Sequence, residues 1–170
     1  STNYAEVLNL NVYGQVTGTY NVAGIAGRIN YTTIKGCKNY ATVNASGFES
    51  REAHYPPDGA CSASGGIVGR IGESGSTIEN SENYGTISAS NSGVGGIVGW
   101  ARKGTVTGCK NFKEINCDVY RVGGIVGAGP IQTDINGRLA IEKCENNSDV
   151  TGEVYVGGIC GGSNHTTITM

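Results

Sequence analysis

Gly95-Gly96-Ile97-Val98-Gly99 is the stretch that decides the fold, because close copies of it recur along the chain. The other copies are Ala23-Gly24-Ile25-Ala26-Gly27, Gly65-Gly66-Ile67-Val68-Gly69, Gly123-Gly124-Ile125-Val126-Gly127 and Gly157-Gly158-Ile159-Cys160-Gly161. The shortest spacing, from Gly96 to Gly124, is 28 residues. Self-similarity at a period of this size indicates a repeat architecture in which each unit packs on its neighbours.

A second signature, which contains a recurring asparagine, follows the glycine-rich stretch. It reads Thr33-Ile34-Lys35-Gly36-Cys37-Lys38-Asn39-Tyr40, Thr77-Ile78-Glu79-Asn80-Ser81-Glu82-Asn83-Tyr84, Thr105-Val106-Thr107-Gly108-Cys109-Lys110-Asn111-Phe112 and Ala140-Ile141-Glu142-Lys143-Cys144-Glu145-Asn146-Asn147. One constant offset after each asparagine lie Val43, Ile87, Ile115 and Val150. Each unit therefore predicts three short β-prone stretches without a sustained helical period. Gly at the corners and the recurring Asn residues are expected to supply left-handed backbone geometry.

These units predict an all-β fold, a parallel β-helix (β-solenoid) with three short strands per rung and about five rungs. One domain is expected over residues 1–170, with a partial unit 1–22, complete units 23–64, 65–94, 95–122 and 123–156, and a partial unit 157–170. Val7 and Tyr13 align with Ile78 and Tyr84 by one shift, so the solenoid is expected to be incomplete at both ends. Neighbouring repeats or domains of the same polypeptide are then the expected partners.

The isoleucine of each glycine-rich stretch is expected to face inward and form the core. The sequence leaves open which of Ile97 and Val98 does so, because adjacent strand residues normally point to opposite faces of a sheet.

The composition argues against several classes of protein. Gly supplies 29 of 170 residues but Pro only 3, so the chain is neither collagen-like nor a Pro-rich linker. The net charge is −2 and the Lys and Arg residues are scattered, so no nucleic acid partner is expected. No apolar run approaches the roughly 20 residues of a membrane span, so no membrane span is expected in this chain.

The glycine-rich stretch, the second signature and the Gly85-Thr86-Ile87 that follows it resemble the GLUG repeat of bacterial cell-surface proteins and of large secreted proteases and adhesins. The resemblance covers essentially the whole chain. It implies an extracellular or cell-surface module inside a longer bacterial polypeptide, and it implies no particular activity. The chain departs from the repeat at Ala23, which replaces the first glycine, and at Ser81, which replaces the recurrent cysteine.

The six cysteines are expected to be mostly free thiols. Cys37, Cys109 and Cys144 share one column with Ser81, which is typical of small buried positions. Only Cys61 falls in a loop. No Cys or His spacing fits zinc, so neither a metal site nor a cofactor is expected, and whether Cys109 and Cys144 are bridged stays open.

Candidate ligand contacts are expected where insertions break the repeat. The first insertion, residues 47–61, is a polar surface loop or a ligand-binding loop, and its candidate contacts are Arg51, His54, Tyr55 and Asp58. The second, residues 129–138, contains Asp134-Ile135-Asn136-Gly137, a fragment of a calcium loop without its distal Glu, and is expected to be a turn.

Two columns of side chains are further candidates. Tyr40, Tyr84 and Phe112 recur with Tyr13 at one turn position, where they either bind sugars or pack across rungs. The column Thr33, Thr77, Thr105 and Thr167 superficially suggests an ice-binding array, but Lys and Glu residues interrupt it and an ordinary exposed strand is expected.

Three functions remain open at this stage. The favoured one is a non-catalytic structural and interaction module that acts as a rigid spacer and displays loops. The second is an adhesin segment that binds a glycan or a host surface protein. The third, a polysaccharide-processing enzyme, lacks paired carboxylates, because Glu79 and Glu142 are separated by a rung carrying Thr107, and Glu114 and Asp149 are expected on a solvated face. No catalytic residue is therefore assigned.

Overall fold

The computed structural model describes residues 4–47, 62–90, 92–118, 120–130 and 136–170, and within these ranges it contains β-strands and no helix. The first rung holds β1 (Ala5–Leu8), β2 (Asn11–Val12), β3 (Gln15–Gly18), β4 (Val22–Ala23) and β5 (Ala26–Ile29). The second holds β6 (Thr32–Lys35), β7 (Lys38–Asn39), β8 (Thr42–Ala45), β9 (Ser64–Gly65) and β10 (Val68–Ile71). The third holds β11 (Ser76–Glu79), β12 (Glu82–Asn83), β13 (Ile87–Ala89), β14 (Val94–Gly95) and β15 (Val98–Ala101).

The later rungs repeat this order. The fourth holds β16 (Lys103–Thr107), β17 (Lys110–Asn111), β18 (Ile115–Asn116), β19 (Tyr120–Gly123) and β20 (Val126–Ala128). The fifth holds β21 (Arg138–Glu142), β22 (Glu145–Asn146), β23 (Val150–Thr151), β24 (Val154–Gly157) and β25 (Cys160–Gly162). A further strand, β26 (Thr166–Thr169), stacks on β21.

Every strand pairs in parallel with its counterpart in the next rung, which confirms the parallel β-helix. The first sheet is β1-β6-β11-β16-β21-β26, and four others follow around the rung: β2-β7-β12-β17-β22, β3-β8-β13-β18-β23, β4-β9-β14-β19-β24 and β5-β10-β15-β20-β25. Each rung thus has five strands rather than the three expected. The second sheet consists of two-residue strands, which are too short to give a period-two signal in the sequence.

The register confirms the predicted columns. Val7 lies opposite Ile34, which in turn lies opposite Ile78. The same inward column continues through Val106, Ile141 and Ile168. A second inward column, in the third sheet, contains Val16, Val43, Ile87, Ile115 and Val150. No single rung could bury these side chains alone, so stacking itself creates the apolar interior.

The recurring asparagines do not take the left-handed geometry expected of them. None of Asn39, Asn83, Asn111 and Asn146 has a positive φ. The left-handed corner lies three residues earlier in each rung, where a positive φ is found at Gly36, Asn80, Gly108 and Lys143. The asparagines instead point into the core and form an asparagine ladder, in which each side-chain amide donates to the next rung's amide oxygen. The Nδ2–Oδ1 distance is 2.9 Å from Asn39 to Asn83 and 2.8 Å from Asn83 to Asn111.

The glycine-rich stretch and the asparagine form one packing unit. A Cβ atom on Gly96 would overlap both the carbonyl oxygen of Gly124 and the side chain of Asn111. Gly24, Gly66 and Gly124 meet Asn39, Asn83 and Asn146 in the same way. This contact crosses the interior from the second sheet to the corner between the fourth and fifth sheets. It therefore separates the two larger apolar clusters of the described residues, one around Ile78 and Ile97 and the other around Ile87 and Val94.

Ile97 and Val98 both face the core, and both are fully buried. The reason is a corner between β14 and β15, where the carbonyl oxygen of Ile97 accepts hydrogen bonds from the amides of both Ile67 and Val68. A bend at this point removes the alternation of a straight strand, so two consecutive side chains enter the interior.

Candidate binding surface

The structure describes only part of the predicted site residues. Arg51, His54, Tyr55 and Asp58 lie outside the described residues, as do residues 131–135 of the second insertion. Ligand binding by the first insertion therefore stays a prediction. The described candidates are those of the aromatic column, Tyr40, Tyr84 and Phe112.

The aromatic ladder consists of Tyr13, Tyr40, Tyr84 and Phe112, one ring from each of the first four rungs. Successive ring centroids are 4.9, 5.0 and 4.8 Å apart, and the interplanar angles are 4°, 7° and 8°. Backbone hydrogen bonds fix this register, for example from the Tyr84 amide to the Asn39 carbonyl at 2.8 Å. The rung rise of about 4.8 Å matches the ring spacing, so stacking needs no distortion of the sheet.

Stacking covers the ring faces that a sugar would use. The exposed fraction falls from 68% for Tyr13, at the end of the ladder, to 39% for Tyr40. The ladder ends at Asn147, so Phe112 has an aromatic neighbour on one face only. A pyranose needs an open aromatic face, and the inner rings of the ladder offer only their edges. The geometry therefore favours cross-rung packing over sugar binding for Tyr40 and Tyr84.

A row of alternating charges runs beside the aromatic ladder. Lys38, Glu82, Lys110 and Glu145 each precede a ladder asparagine and are in register on successive rungs. Lys38 Nζ lies 2.8 Å from Glu82 Oε2, and Lys110 Nζ lies 3.0 Å from Glu145 Oε1. This row was not among the predicted columns, although its members stand at a constant offset of one residue before each asparagine in the sequence.

The charge row and the aromatic ladder are joined by hydrogen bonds. The Tyr84 hydroxyl donates to Glu82 Oε2 at 3.0 Å. The hydrogen bond from Lys38 and its positive charge lower the pKa of Glu82. In turn, the hydrogen bond to Glu82 and its negative charge raise the pKa of Lys38. Burial, followed by the bond to Glu82, raises the pKa of Tyr84. All three groups are therefore held in their ordinary charge states at neutral pH, and none is poised as an acid or base near pH 7.

The described cysteines are free, and the surroundings of Cys109, Cys117 and Cys160 suppress the reactivity of their thiols. Cys37, Cys109 and Cys117 are buried, while Cys144 and Cys160 are half-buried. Burial raises the pKa of Cys117 and of Cys160 to about 11. The interaction with the Cys144 thiol, together with burial, raises the pKa of Cys109 well above its ordinary value. Because the thiolate is the reactive form, a raised pKa favours a structural role for Cys109, Cys117 and Cys160. Cys61 lies outside the described residues.

Acidic residues do not converge on a catalytic geometry within the described ranges. Glu114 and Asp149 are both exposed, and Glu114 faces Lys113 at 3.6 Å. The part of the chain that is described also contains no group of three or more His, Cys, Asp or Glu side chains able to hold a metal ion.

Comparison with known proteins gives no relative. No family model matches the chain, and neither the curated proteins nor the solved structures searched contain a match. Among the described residues, no helix has the length and apolar character needed to cross a membrane.

Proposed function

We propose that this chain is a non-catalytic structural and interaction module of a bacterial surface or secreted protein, in which it acts as a stiff spacer that displays loops. The resemblance of its repeats to the GLUG repeat supports the extracellular bacterial setting. Neighbouring repeats or domains of the same polypeptide are its proposed partners.

The observation that carries the proposal is the unbroken asparagine ladder. It links four successive rungs through three amide hydrogen bonds. The first two are buried, and the last, which joins Asn111 Nδ2 to Asn146 Oδ1 at 2.9 Å, is half-buried. Bending or shearing two rungs would break such a bond inside the core, where water cannot replace it. The ladder therefore resists relative motion of the rungs, which is the property that a spacer needs.

The second function, glycan or host-protein binding through the aromatic column, gains no support from the covered ring faces of Tyr40 and Tyr84. Binding by the first insertion remains an independent prediction, with Arg51, His54, Tyr55 and Asp58 as its contacts.

Stiffness can be measured as a distance distribution. Thr17 and Thr151 are exposed and lie at the two ends of one column in the third sheet, which continues through Asn44, Ser88 and Asn116. Spin labels attached through non-canonical amino acids at both positions leave the native thiols untouched. Four rung steps predict one narrow distance near 19 Å plus the label linkers, at about 4.8 Å per step.

Two further results bear on the proposal. If the segment from Thr17 to Thr151 were a flexible chain, the two labels would lie about 60 Å apart with a wide spread, so a broad distribution would contradict the spacer role. Release of products from a panel of polysaccharides by the purified chain would contradict its non-catalytic character.

A further inference from the structure

A shallow groove crosses the first sheet, formed by β1, β6, β11, β16, β21 and β26. It encloses about 790 Å³ and takes lining residues from every rung, from Tyr4 at one end to Thr167 at the other. Six stacked strands extend about 24 Å, at about 4.8 Å per step. A space that is long, shallow and open fits an extended polymer better than a compact small molecule.

Hydroxyl groups line the middle of the groove. Thr33, Thr77 and Thr105 are in register on three consecutive rungs, and Thr167 continues the column beyond Ala140. Each threonine presents a donor and an acceptor at the rung spacing. A ligand that carries polar groups at regular intervals can therefore bond to the same type of side chain on several rungs.

Positive charge is concentrated on two neighbouring rungs of the groove. Lys103 and Arg138 are register partners on β16 and β21, and both are exposed. The Arg138 Nη1 donates to the Gly137 carbonyl at 2.7 Å, which holds the guanidinium group in place. None of the described lining residues is Asp or Glu, although the whole chain has a net charge of −2. The described lining thus carries cationic and no acidic side chains, on a protein whose net charge is negative.

The opposite end of the groove is aromatic. Tyr4 and Tyr31 meet edge to face, with ring centroids 6.2 Å apart and an interplanar angle of 81°. Their exposed fractions are 67% and 45%, so ring surface is accessible here in a way that it is not along the inner aromatic ladder. Glu6, beside Thr33 on the edge strand β1, lies at this end, so anionic groups belong at the end with Lys103 and Arg138.

A peptide fits this surface less well than a sugar polymer. The inner strands β6, β11, β16 and β21 are paired on both sides, so the middle of the groove offers no strand edge for β-augmentation. A docked helix needs apolar anchor pockets, but Leu139, the aliphatic residue of the lining with the largest side chain, is buried at 2% exposure. The threonine hydroxyls can bond to the hydroxyl groups of a sugar polymer, and the exposed tyrosine rings can stack on its sugar rings. The two cationic side chains can pair with its anionic groups.

We propose that this groove binds an acidic polysaccharide in an extended conformation, with Lys103 and Arg138 pairing with its carboxylate or sulfate groups and Tyr31 stacking on a sugar ring. The inference does not depend on the spacer role, since a stiff spacer and a flexible one could both carry such a groove.

The test is calorimetric titration at low salt with oligogalacturonate, with sulfated dextran, with neutral dextran and with polyglutamate. Oligogalacturonate or sulfated dextran is expected to bind with an affinity that falls as salt rises, and the stronger of the two identifies the preferred anionic group. The double variant Lys103→Gln/Arg138→Gln is expected to bind about tenfold more weakly or worse. The control Arg28→Gln/Lys113→Gln removes the same charge outside the groove, from an exposed and a half-buried position, and is expected to bind as the parent does.

A second variant separates the groove from general charge attraction. Thr105→Val keeps the β-branched shape and removes one hydroxyl, so affinity is expected to fall about threefold with no change in thermal unfolding. Equal losses in both double variants would overturn the proposal, as would equal binding of neutral dextran, tighter binding of polyglutamate, or no binding of either anionic glycan.

Discussion

The inner asparagine ladder and the outer aromatic ladder occupy adjacent residues of the chain, yet different interactions stabilise them: buried hydrogen bonds in the first and ring stacking at the surface in the second. Asn83 is fully buried and makes hydrogen bonds to the rungs on both sides, whereas Tyr84 stacks on its neighbours at the surface. In the core, water cannot replace a lost partner, so every amide must be satisfied. At the surface, a lost ring contact is replaced by water, so the cost is limited to the stacking itself.

The ends of the two ladders illustrate the same difference. The inner ladder includes Asn146, where the outer ladder has already stopped at Asn147. In the fifth rung a polar side chain, Asn147, replaces the aromatic ring, and the rung keeps its backbone hydrogen bond to Asn111 because the position is solvated. A residue type that recurs in the sequence can therefore be required by the core, like the asparagines, or only preferred at the surface, like the aromatic residues. The two cases are distinguished by whether the side chain points inward or outward.

The largest effect is expected from Asn83→Ala. This change removes two donated hydrogen bonds, to Gly85 and Asn111, and two accepted ones, from Asn39 and Gly85. Because the partners stay buried, the free energy of unfolding is expected to fall by about 4 kcal/mol in urea denaturation. The control Asn44→Ala, on the outer face of the third sheet, is expected to cost under about 0.5 kcal/mol. Similar costs for the two changes would contradict the distinction between the ladders.

The glycine that faces the asparagine ladder gives the next effect. Gly96→Ala places a methyl group against the Gly124 carbonyl and the Asn111 side chain, and is expected to cost about 3 kcal/mol of unfolding free energy. The matched control is Gly158→Ala, where an added Cβ meets nothing within 4 Å. Thermal unfolding of the two variants measures the difference, and a Gly158 variant as unstable as the Gly96 variant would show that backbone freedom, rather than packing, selects these glycines.

The outer ladder is expected to respond more weakly and by position. Tyr84→Ala removes two stacked contacts and Tyr13→Ala removes one, so costs of about 2 and about 1 kcal/mol are expected. Chemical denaturation of both variants under identical conditions provides the comparison. If Tyr13→Ala cost as much as Tyr84→Ala, the number of stacked neighbours would not determine the energy.

The charge row is expected to give the smallest effect, and one that depends on pH. The pKa of Glu82 is lower in the folded than in the unfolded chain, so its contribution is present above the unfolded pKa of about 4.3 and is lost as the pH falls through the folded value. At neutral pH, Glu82→Gln is expected to cost under about 1 kcal/mol, because both side chains of the pair are partly exposed to solvent.

The measurement for Glu82 is the urea midpoint as a function of pH. The parent and Glu82→Gln are expected to differ at pH 7 and to converge in acid. Glu114→Gln is the control for removing an exposed carboxylate. A difference that grows as the pH falls would reverse the assigned sign.

Much of the fold could be predicted from the sequence because stacked rungs force equivalent residues into columns. The alignment of Val7 with Ile78 and the stacking of Tyr40 on Tyr84 follow from constant offsets alone. The count of strands per rung could not be predicted, since strands such as β12 have two residues and pair only because their neighbours hold them in register. The groove could not be predicted for a related reason, because Lys103, Arg138 and Tyr31 belong to separate rungs and line one surface only after the sheet has formed.

The sequence by itself determined the period, the parallel stacking and the identity of each column. The tertiary structure decided which way each column points. Asn83 faces inward because Gly66, across the interior, leaves space for its amide, and the bend beside Ile97 turns two successive side chains into the core. The repeat spacing is the number of residues between equivalent positions, so it can be counted from the sequence alone. The direction of a side chain depends on where the corners fall, and corners are fixed by packing between distant parts of the rung.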